Sequence, residues 1–307
     1  MIIADYSFEE SLARAATLPS TWYTDAKILE LEKQKVFGRA WQLVGRAEQV
    51  ARAGDYLTAL IADEPILVAR GVDEKLRAFS NVCRHRAGPV AAGSGTRRIF
   101  QCGYHGWSYS LEGCLLGTPE FDGVECFSKE ANCLPEFRVE TWGALVFVKL
   151  DPPGAPLGET LEDLSSLISH CDLSTMQFAA RKDRYVDCNW KVYIDNYLEG
   201  YHIPIVHPSL NREIDYARYR TETRSYYSIQ HSPIKGSATR LHKDDDPDKN
   251  KVQFSWVFPN LHEDIAICEA VQRGLRSRTY ASGRYSVKRE NGVHHFHGLL
   301  AEFLARP

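Results

Sequence analysis

The sequence predicts an α+β chain of two domains: a short helical opening, an all-β domain, then a domain mixing helices with antiparallel strands. Three observations carry that reading. At 307 residues the chain exceeds what one core comfortably organises. The hydrophobic pattern changes near Trp41 from helical spacing to short apolar runs separated by turn residues. The run Asp151-Pro152-Pro153-Gly154-Ala155-Pro156 is the clearest linker. The expected divisions are therefore 1–40, a helical segment packing on the second domain, then 41–150 and 151–307.

Each element follows from local pattern. Lys27 to Val36 carries Ile28, Leu29, Leu31 and Val36 among charges, behind Asp25 as N-cap, and reads as a helix. Tyr56–Ile61 and Ile66–Ala69, separated by Asp63-Glu64-Pro65, read as hairpin strands, and the β-rich stretch continues to Ala144–Leu150. Beyond the linker, Glu159 to His170 reads as an amphipathic helix. Arg184–Val186 and Arg220–Ile229 read as strands, Thr239 to Lys251 as a charged solvated loop, and Val293 to Leu304 as a closing helix.

Composition narrows the function. A net charge of -3 and a pI near 6.4 leave no electrostatic footprint for nucleic acid or for an anionic membrane surface. No apolar run approaches the roughly 18–20 residues that span a bilayer, and the first residues lack a basic, then apolar, leader. A cytoplasmic location is expected. In that setting clustered cysteines indicate metal or catalysis rather than disulfides. Of 8 cysteines, Cys83 and Cys102 stand beside histidines; Cys114, Cys126, Cys133, Cys171, Cys188 and Cys268 are expected to be small buried hydrophobes.

The strongest local signal is Cys83-Arg84-His85, then sixteen residues, then Cys102-Gly103-Tyr104-His105. Two thiolates and two imidazoles suit either a tetrahedral zinc ion or a [2Fe–2S] cluster of Rieske type, with two cysteines on one iron and two histidines on the other. Cys-x-His is an unusual spacing for a zinc finger. Glycines at Gly88, Gly103 and Gly106 allow backbone to approach a cluster closely. These residues, with Arg86, Gly106 and Trp107, resemble the Rieske domain of ring-hydroxylating and related oxygenases. Two neutral imidazoles in place of thiolates set the potential well above that of plant-type ferredoxins.

The second half carries His202 and His207 within Asp195-Asn196-Tyr197-Leu198-Glu199-Gly200-Tyr201-His202-Ile203-Pro204-Ile205-Val206-His207-Pro208. Five residues apart, they would lie about 140° apart on one helix. Pro204 and Pro208 break that helix, so the expectation is a helix over Trp190–Tyr201 and a turn that swings His207 back. Two histidines and one carboxylate suit non-heme Fe(II) with open positions.

The family resemblance implies the remaining parts. The segment around His262-Glu263-Asp264 resembles the region that supplies the carboxylate, assigning Asp264 with Glu263 as competitor. Glu199 stands where most of the family has the aspartate that bridges a Rieske histidine and an iron histidine across subunits. Asp195 is the alternative bridge, and Asn196 lies beside the iron. Glu199 and the run Glu269-Ala270-Val271-Gln272-Arg273-Gly274-Leu275 resemble the choline, glycine-betaine and carnitine monooxygenase-like branch. The implied fold is a Rieske β-domain followed by a helix-grip domain, an antiparallel sheet around a long helix. The implied assembly is a head-to-tail homotrimer. NAD(P)H electrons arrive through a separate flavin/iron–sulfur reductase, since no dinucleotide-binding glycine motif follows a strand here. The implied reaction uses O₂ to hydroxylate or N-demethylate a small substrate, with a quaternary ammonium compound as one class. An aromatic substrate is the rival; a Rieske electron carrier without a working mononuclear iron is the alternative of another class.

Two further expectations concern aromatics and histidines. Tyr193, Tyr197, Tyr201, Tyr227 and Trp256 are candidates for a cage around a cationic substrate. His294, His295 and His297 are expected on the surface of the closing helix. One departure from the family stands out. Phe258-Pro259-Asn260 runs through Leu261 directly into His262-Glu263-Asp264, where the family interposes several strands. Either the chain is trimmed there or its numbering passes over omitted residues, and the shape of the substrate pocket depends on which.

Overall fold

The computed structural model describes residues 6–169, 173–178, 183–235 and 257–306, with backbone alone at 257–261. The expected charged loop at Thr239 to Lys251, and Trp256, lie outside the described residues. The chain divides into two compact units, one of residues 33–181, the other of residues 1–32 together with 182–307.

The chain opens with α1 (Thr21–Thr24) and α2 (Ala26–Glu32), which belong to the discontinuous unit. Asp25 caps α2 by accepting from the Lys27 backbone N–H at 2.8 Å. The expected helix through Val36 is interrupted by a π-type turn over Lys33–Phe37.

The continuous unit holds ten strands: β1 (Gln42–Arg46), β2 (Asp55–Ile61), β3 (Glu64–Arg70), β4 (Leu76–Ser80), β5 (Ser94–Thr96), β6 (Phe100–Gln101), β7 (Ser108–Tyr109), β8 (Leu115–Gly117), β9 (Glu136–Trp142) and β10 (Leu145–Lys149). Seven form one antiparallel sheet in the order β1-β10-β9-β4-β3-β2-β5, and β6-β7-β8 form a second. The β2–β3 hairpin turns through Ala62 and Asp63, both at positive φ, the conformation that tight hairpins require. Side chains alternate across a strand, so β3 feeds two cores. Ile66 and Val68 pack with Val50, Leu57, Val146 and Val148. Leu67 and Ala69 pack with Phe79, Phe100, Trp107 and Tyr109, the core that also buries Cys83 and Cys102.

The proline run at 151–156 does not mark the edge of this unit, which extends to residue 181. It is pinned to β9. The Arg138 guanidinium donates to the carbonyls of Pro152 and Gly154, both at 2.9 Å, and lies over the Trp41 ring. The expected helix at Glu159 to His170 is two single turns, α3 (Leu157–Thr160) and α4 (Leu164–Leu167).

In the discontinuous unit, α5 (Trp190–Tyr197) is capped by Asn189, whose side chain accepts from the Lys191 N–H. Next come α6 (Ile203–Val206), α7 (Pro208–Glu213), β11 (Arg220–Thr223), β12 (Ser228–His231), α8 (Val257–Leu275) and α9 (Asn291–Ala305). Among the described residues its sheet is the antiparallel β11–β12 pair, with an isolated bridge between Ile214 and Ile234. Arg184–Val186 is not a strand. Phe258-Pro259-Asn260 sits in the first turns of α8, where proline's missing donor costs nothing, and the helix continues through Asp264.

Packing here brings the two ends of the chain onto α5. Glu32 at the end of α2 and Lys191 are both fully buried, with Nζ to Oε1 at 2.6 Å, and the Trp190 indole donates to the other Glu32 oxygen at 2.7 Å. At the other end of α5, a Cβ on Gly292 of α9 would stand 2.4 Å from the Leu198 carbonyl, so α9 packs backbone to backbone there. Among the described residues no helix is long and apolar enough to cross a membrane.

Candidate metal centres

The first centre lies on two loops of the continuous unit, one after β4, the other between β6 and β7. Each loop is a tight turn closed on its cysteine. Cys83 donates its N–H to the Gly88 carbonyl (2.8 Å) and Cys102 to the Trp107 carbonyl (2.9 Å). The loops meet at Gly88, where an added Cβ would stand 2.9 Å from the Cys102 sulfur. Both thiols are buried, while His85 is half-buried and His105 exposed. The His85 and His105 rings lie 4.6 Å apart, and His85 stacks on Trp107 at 4.8 Å.

Two features test what this set fits. The buried His85 Nδ1 has no hydrogen-bond partner, a cost that a ligand would remove. A tetrahedral zinc site would draw all four ligand atoms onto one point. Among the described residues no three of these four do so; the one such group lies elsewhere. Two buried cysteines and two neighbouring, more exposed histidines suit a two-iron cluster with one residue type on each iron. Burial, then the neighbouring His85 and Arg86 charges, hold the His105 imidazole below its ordinary pKa, favouring the neutral form that binds metal. The Tyr109 hydroxyl lies 3.3 Å from the Cys83 sulfur.

The second centre is built by α5, α6 and α8. The expected helix over Trp190–Tyr201 ends earlier, at Tyr197. Gly200 packs under the Tyr219 ring with no room for a Cβ, and the Glu199 carboxylate accepts from the backbone N–H groups of Tyr201 and His202. The chain therefore turns before His202. His202 and His207 then flank the single turn of α6, one at each end, with Pro204 and Pro208 starting α6 and α7. This brings the imidazoles to 5.0 Å between ring centroids.

Asp264, on α8, completes the group. Its Oδ1 lies 2.9 Å from His207 Nε2 and 3.7 Å from His202 Nε2, and the three ligand atoms fall within 4.8 Å of one another. Each imidazole turns its other nitrogen to a carboxylate: His202 Nδ1 to Glu199 at 2.5 Å, His207 Nδ1 to Glu263 at 2.5 Å. Carboxylates behind metal-binding histidines fix ring orientation and tautomer. Glu263 thus backs His207, while Asp264 faces the centre. The Asn196 amide donates to Asp264 Oδ1 at 2.8 Å. Burial alone would push His207 down and Asp264 up. Their mutual hydrogen bond, with Glu263 on the histidine and Asn196 on the aspartate, reverses both directions, leaving His207 raised and Asp264 lowered. The set can hold one divalent ion with positions left open.

A cavity of about 600 Å³ opens beside this group and is lined by Tyr197, His202, Ile203, His207, Tyr219 and Asp264, among others. Of the expected cage residues that are described, Tyr197 lines it and Tyr193, Tyr201 and Tyr227 do not. Tyr219 was not foreseen, because the turn at Gly200 that brings it in is tertiary.

Two other expectations fail. His294 and His297 are buried. His297 Nε2 lies 2.9 Å from Asp195 Oδ1 and its Nδ1 lies 2.6 Å from the Tyr285 hydroxyl, while the Tyr23 hydroxyl donates to Asp195 Oδ2 at 2.6 Å. The helix turns that face of the tract inward. Asp195 accordingly faces α9 and the N-terminal segment rather than His202. Nor are the remaining cysteines uniformly buried: Cys268 is, but Cys114 and Cys126 are exposed and Cys133 and Cys188 half-buried, because they sit in loops rather than on core faces; Cys171 lies outside the described residues.

Comparison with known proteins shows the family. Residues 40–128 match the Rieske [2Fe-2S] domain family, and residues 173–262 and 238–306 match the catalytic domain of the ring hydroxylating alpha subunit family. The chain is 30% identical to choline monooxygenase, chloroplastic, of Arabidopsis thaliana, covering 97% of this chain and 85% of that protein. That alignment spans 364 positions, more than the chain's 307 residues, so the relative carries residues with no counterpart here. Identity to the carnitine monooxygenase oxygenase subunit of Escherichia coli (strain K12) is 29%, covering 94% of each. A solved quaternary ammonium Rieske monooxygenase, described in terms of carnitine oxidation and inter-subunit electron transfer, superposes with a TM-score of 0.82 at 27% identity, covering 97% of this chain and 100% of that one. With cysteine–histidine loops in one unit and a two-histidine, one-carboxylate group in the other, this chain belongs to the Rieske non-heme iron oxygenases, oxidoreductases that pair a [2Fe–2S] cluster with a mononuclear iron.

Proposed function

We propose that this chain is a monooxygenase that hydroxylates or N-demethylates a quaternary ammonium substrate. Cys83, His85, Cys102 and His105 hold the cluster, and His202, His207 and Asp264 hold the iron. The observation that carries the reading is Asp264 Oδ1 facing both Nε2 atoms, beside a cavity walled by Tyr197 and Tyr219. When bound, the cluster supplies electrons and the ferrous ion supplies O₂ activation. The residues of the chain do the rest. Glu199 and Glu263 hold the two imidazoles, and Asn196 holds the aspartate. Aromatic faces at the cavity attract a cation that carries no hydrogen-bond donor.

Glu199 also serves as the bridge to the cluster histidine of a neighbouring subunit, in a head-to-tail homotrimer located in the cytoplasm. Electrons come from NAD(P)H through a separate flavin/iron–sulfur reductase. Support for the assembly is the inter-subunit electron transfer described for the solved relative.

The test is product analysis with reductase, NADH and O₂, offering carnitine, choline and glycine betaine beside benzoate and naphthalene. Conversion of a quaternary ammonium compound is expected. Turnover of the aromatic compounds alone would overturn the substrate class, and reduction of the cluster without turnover of any of them would favour an electron carrier.

A further inference from the structure

A loop of the continuous unit covers the first centre. It leaves through β8 and returns toward β9. Its Phe121 stands edge-on to His85 at 5.9 Å and to Trp107 at 5.1 Å, and its Phe127 edge-on to Trp107 at 5.6 Å. The base of this loop is closed by one backbone hydrogen bond, Leu134 N–H to the Gly113 carbonyl at 2.9 Å. That bond sets the neighbouring residues Cys114 and Cys133 side by side, near enough for the Cys133 sulfur to act on the Cys114 thiol. Both are free thiols, Cys114 exposed and Cys133 half-buried, and neither belongs to a metal centre. Slight burial and the neighbouring Cys133 sulfur push the Cys114 thiol up.

We propose that Cys114 and Cys133 form a site of reversible oxidation that closes a disulfide across the base of the loop covering the cluster. The oxidant class is a peroxide. One thiolate attacks a peroxide oxygen; the O–O bond breaks, hydroxide leaves and that sulfur becomes a sulfenic acid. The second sulfur attacks it; the S–O bond breaks and water leaves. Two thiols lose two electrons in all, and hydrogen peroxide becomes two waters. Exchange with a dithiol restores the reduced pair. The cross-link removes conformations in which the loop swings out, so Phe121 and Phe127 stay over His85 and Trp107. Cys126, exposed on the same loop, is the competing thiol.

The experiment treats the anaerobically purified holoenzyme with hydrogen peroxide, alkylates free thiols and digests with trypsin and a glutamate-specific protease without reductant. Cleavage after Glu120 or Glu125 separates Cys114 from Cys126. Mass spectrometry is expected to find the Cys114 and Cys133 peptides joined, with both free thiols lost and regained on adding dithiothreitol. The link should persist in Cys126→Ser and vanish in Cys114→Ser. Alkylation of both cysteines at a peroxide dose that already oxidises Cys126, or Cys133 joined chiefly to Cys126, would overturn the proposal.

Discussion

The Asn196 amide donates to Asp264 Oδ1, the same oxygen that faces His207 Nε2. A residue on α5 therefore aims the carboxylate that α8 delivers. Asn196→Ala leaves Asp264 free to rotate. Loss of such a supporting bond typically costs about 10–100-fold in metal affinity. Ferrous-ion titration of the variant should show a drop of that order with the cluster spectrum unchanged; wild-type affinity would assign Asn196 to another task.

Asp264 and Glu263 are adjacent, yet one faces the centre and the other backs an imidazole. Asp264→Asn should abolish mononuclear iron at normal cluster content. Glu263→Gln should weaken iron binding only partly, because His207 keeps its Nε2 in place. Metal analysis of both variants tests this, and the reverse ranking would exchange their roles.

The raised His207 pKa gives iron binding a pH dependence of defined sign. In the metal-free protein its contribution to stability is present below the ordinary histidine pKa and lost as pH rises through the raised value. Metal must displace that proton, so affinity runs the other way, rising with pH and levelling once His207 is neutral. Asp264 is held below its ordinary range and stays ionised throughout. Cobalt titrations of apoprotein across mildly acidic to mildly alkaline buffers should trace this curve, which a pH-independent affinity would contradict.

Glu32 and Lys191 are buried together, with burial pushing the carboxyl up and the ammonium down while each pulls the other back. Lys191→Met strands a buried carboxylate and should cost about 3–5 kcal/mol in chemical denaturation. The pair Glu32→Leu with Lys191→Met removes both charges and should recover much of that loss. Equal losses in the two variants would show that the charges do not interact.

Glu199→Ala should keep the cluster and, like Glu263→Gln, weaken iron binding in part; at saturating ferrous ion it should still slow electron transfer from cluster to iron, read by single-turnover kinetics of the reduced protein. Wild-type rates in that variant would remove Glu199 from the electron path.

What the sequence makes legible is what lies close along the chain. Cys83 with His85, Cys102 with His105, and His202 with His207 each sit on one loop or one turn, so spacing alone proposes them. Asp264 needs the resemblance, because its oxygen reaches the histidines only through the packing of α8 on α5. Tyr23 and His297, which clasp Asp195, are separated by most of the chain, and no local pattern joins them. The inward turn of His297 is a matter of helix phase, and a tract of three histidines reads as polar before the phase is known. The proline run misleads as a boundary because Arg138 supplies its carbonyls with donors and ties it to the sheet.

The clasp on α5 has a consequence for how the protein is made. The 33–181 unit is continuous in sequence and can collapse while still on the ribosome. The iron-binding unit has no such freedom. Tyr23 and Glu32 emerge first, and their partners Asp195 and Lys191 follow only after the whole intervening unit. His297 follows Asp195 by a further 102 residues. The nascent catalytic half must therefore wait, with its first helices unpartnered, until α5 and then α9 have been made, and truncation before α9 would strand it while leaving the cluster-bearing half able to assemble.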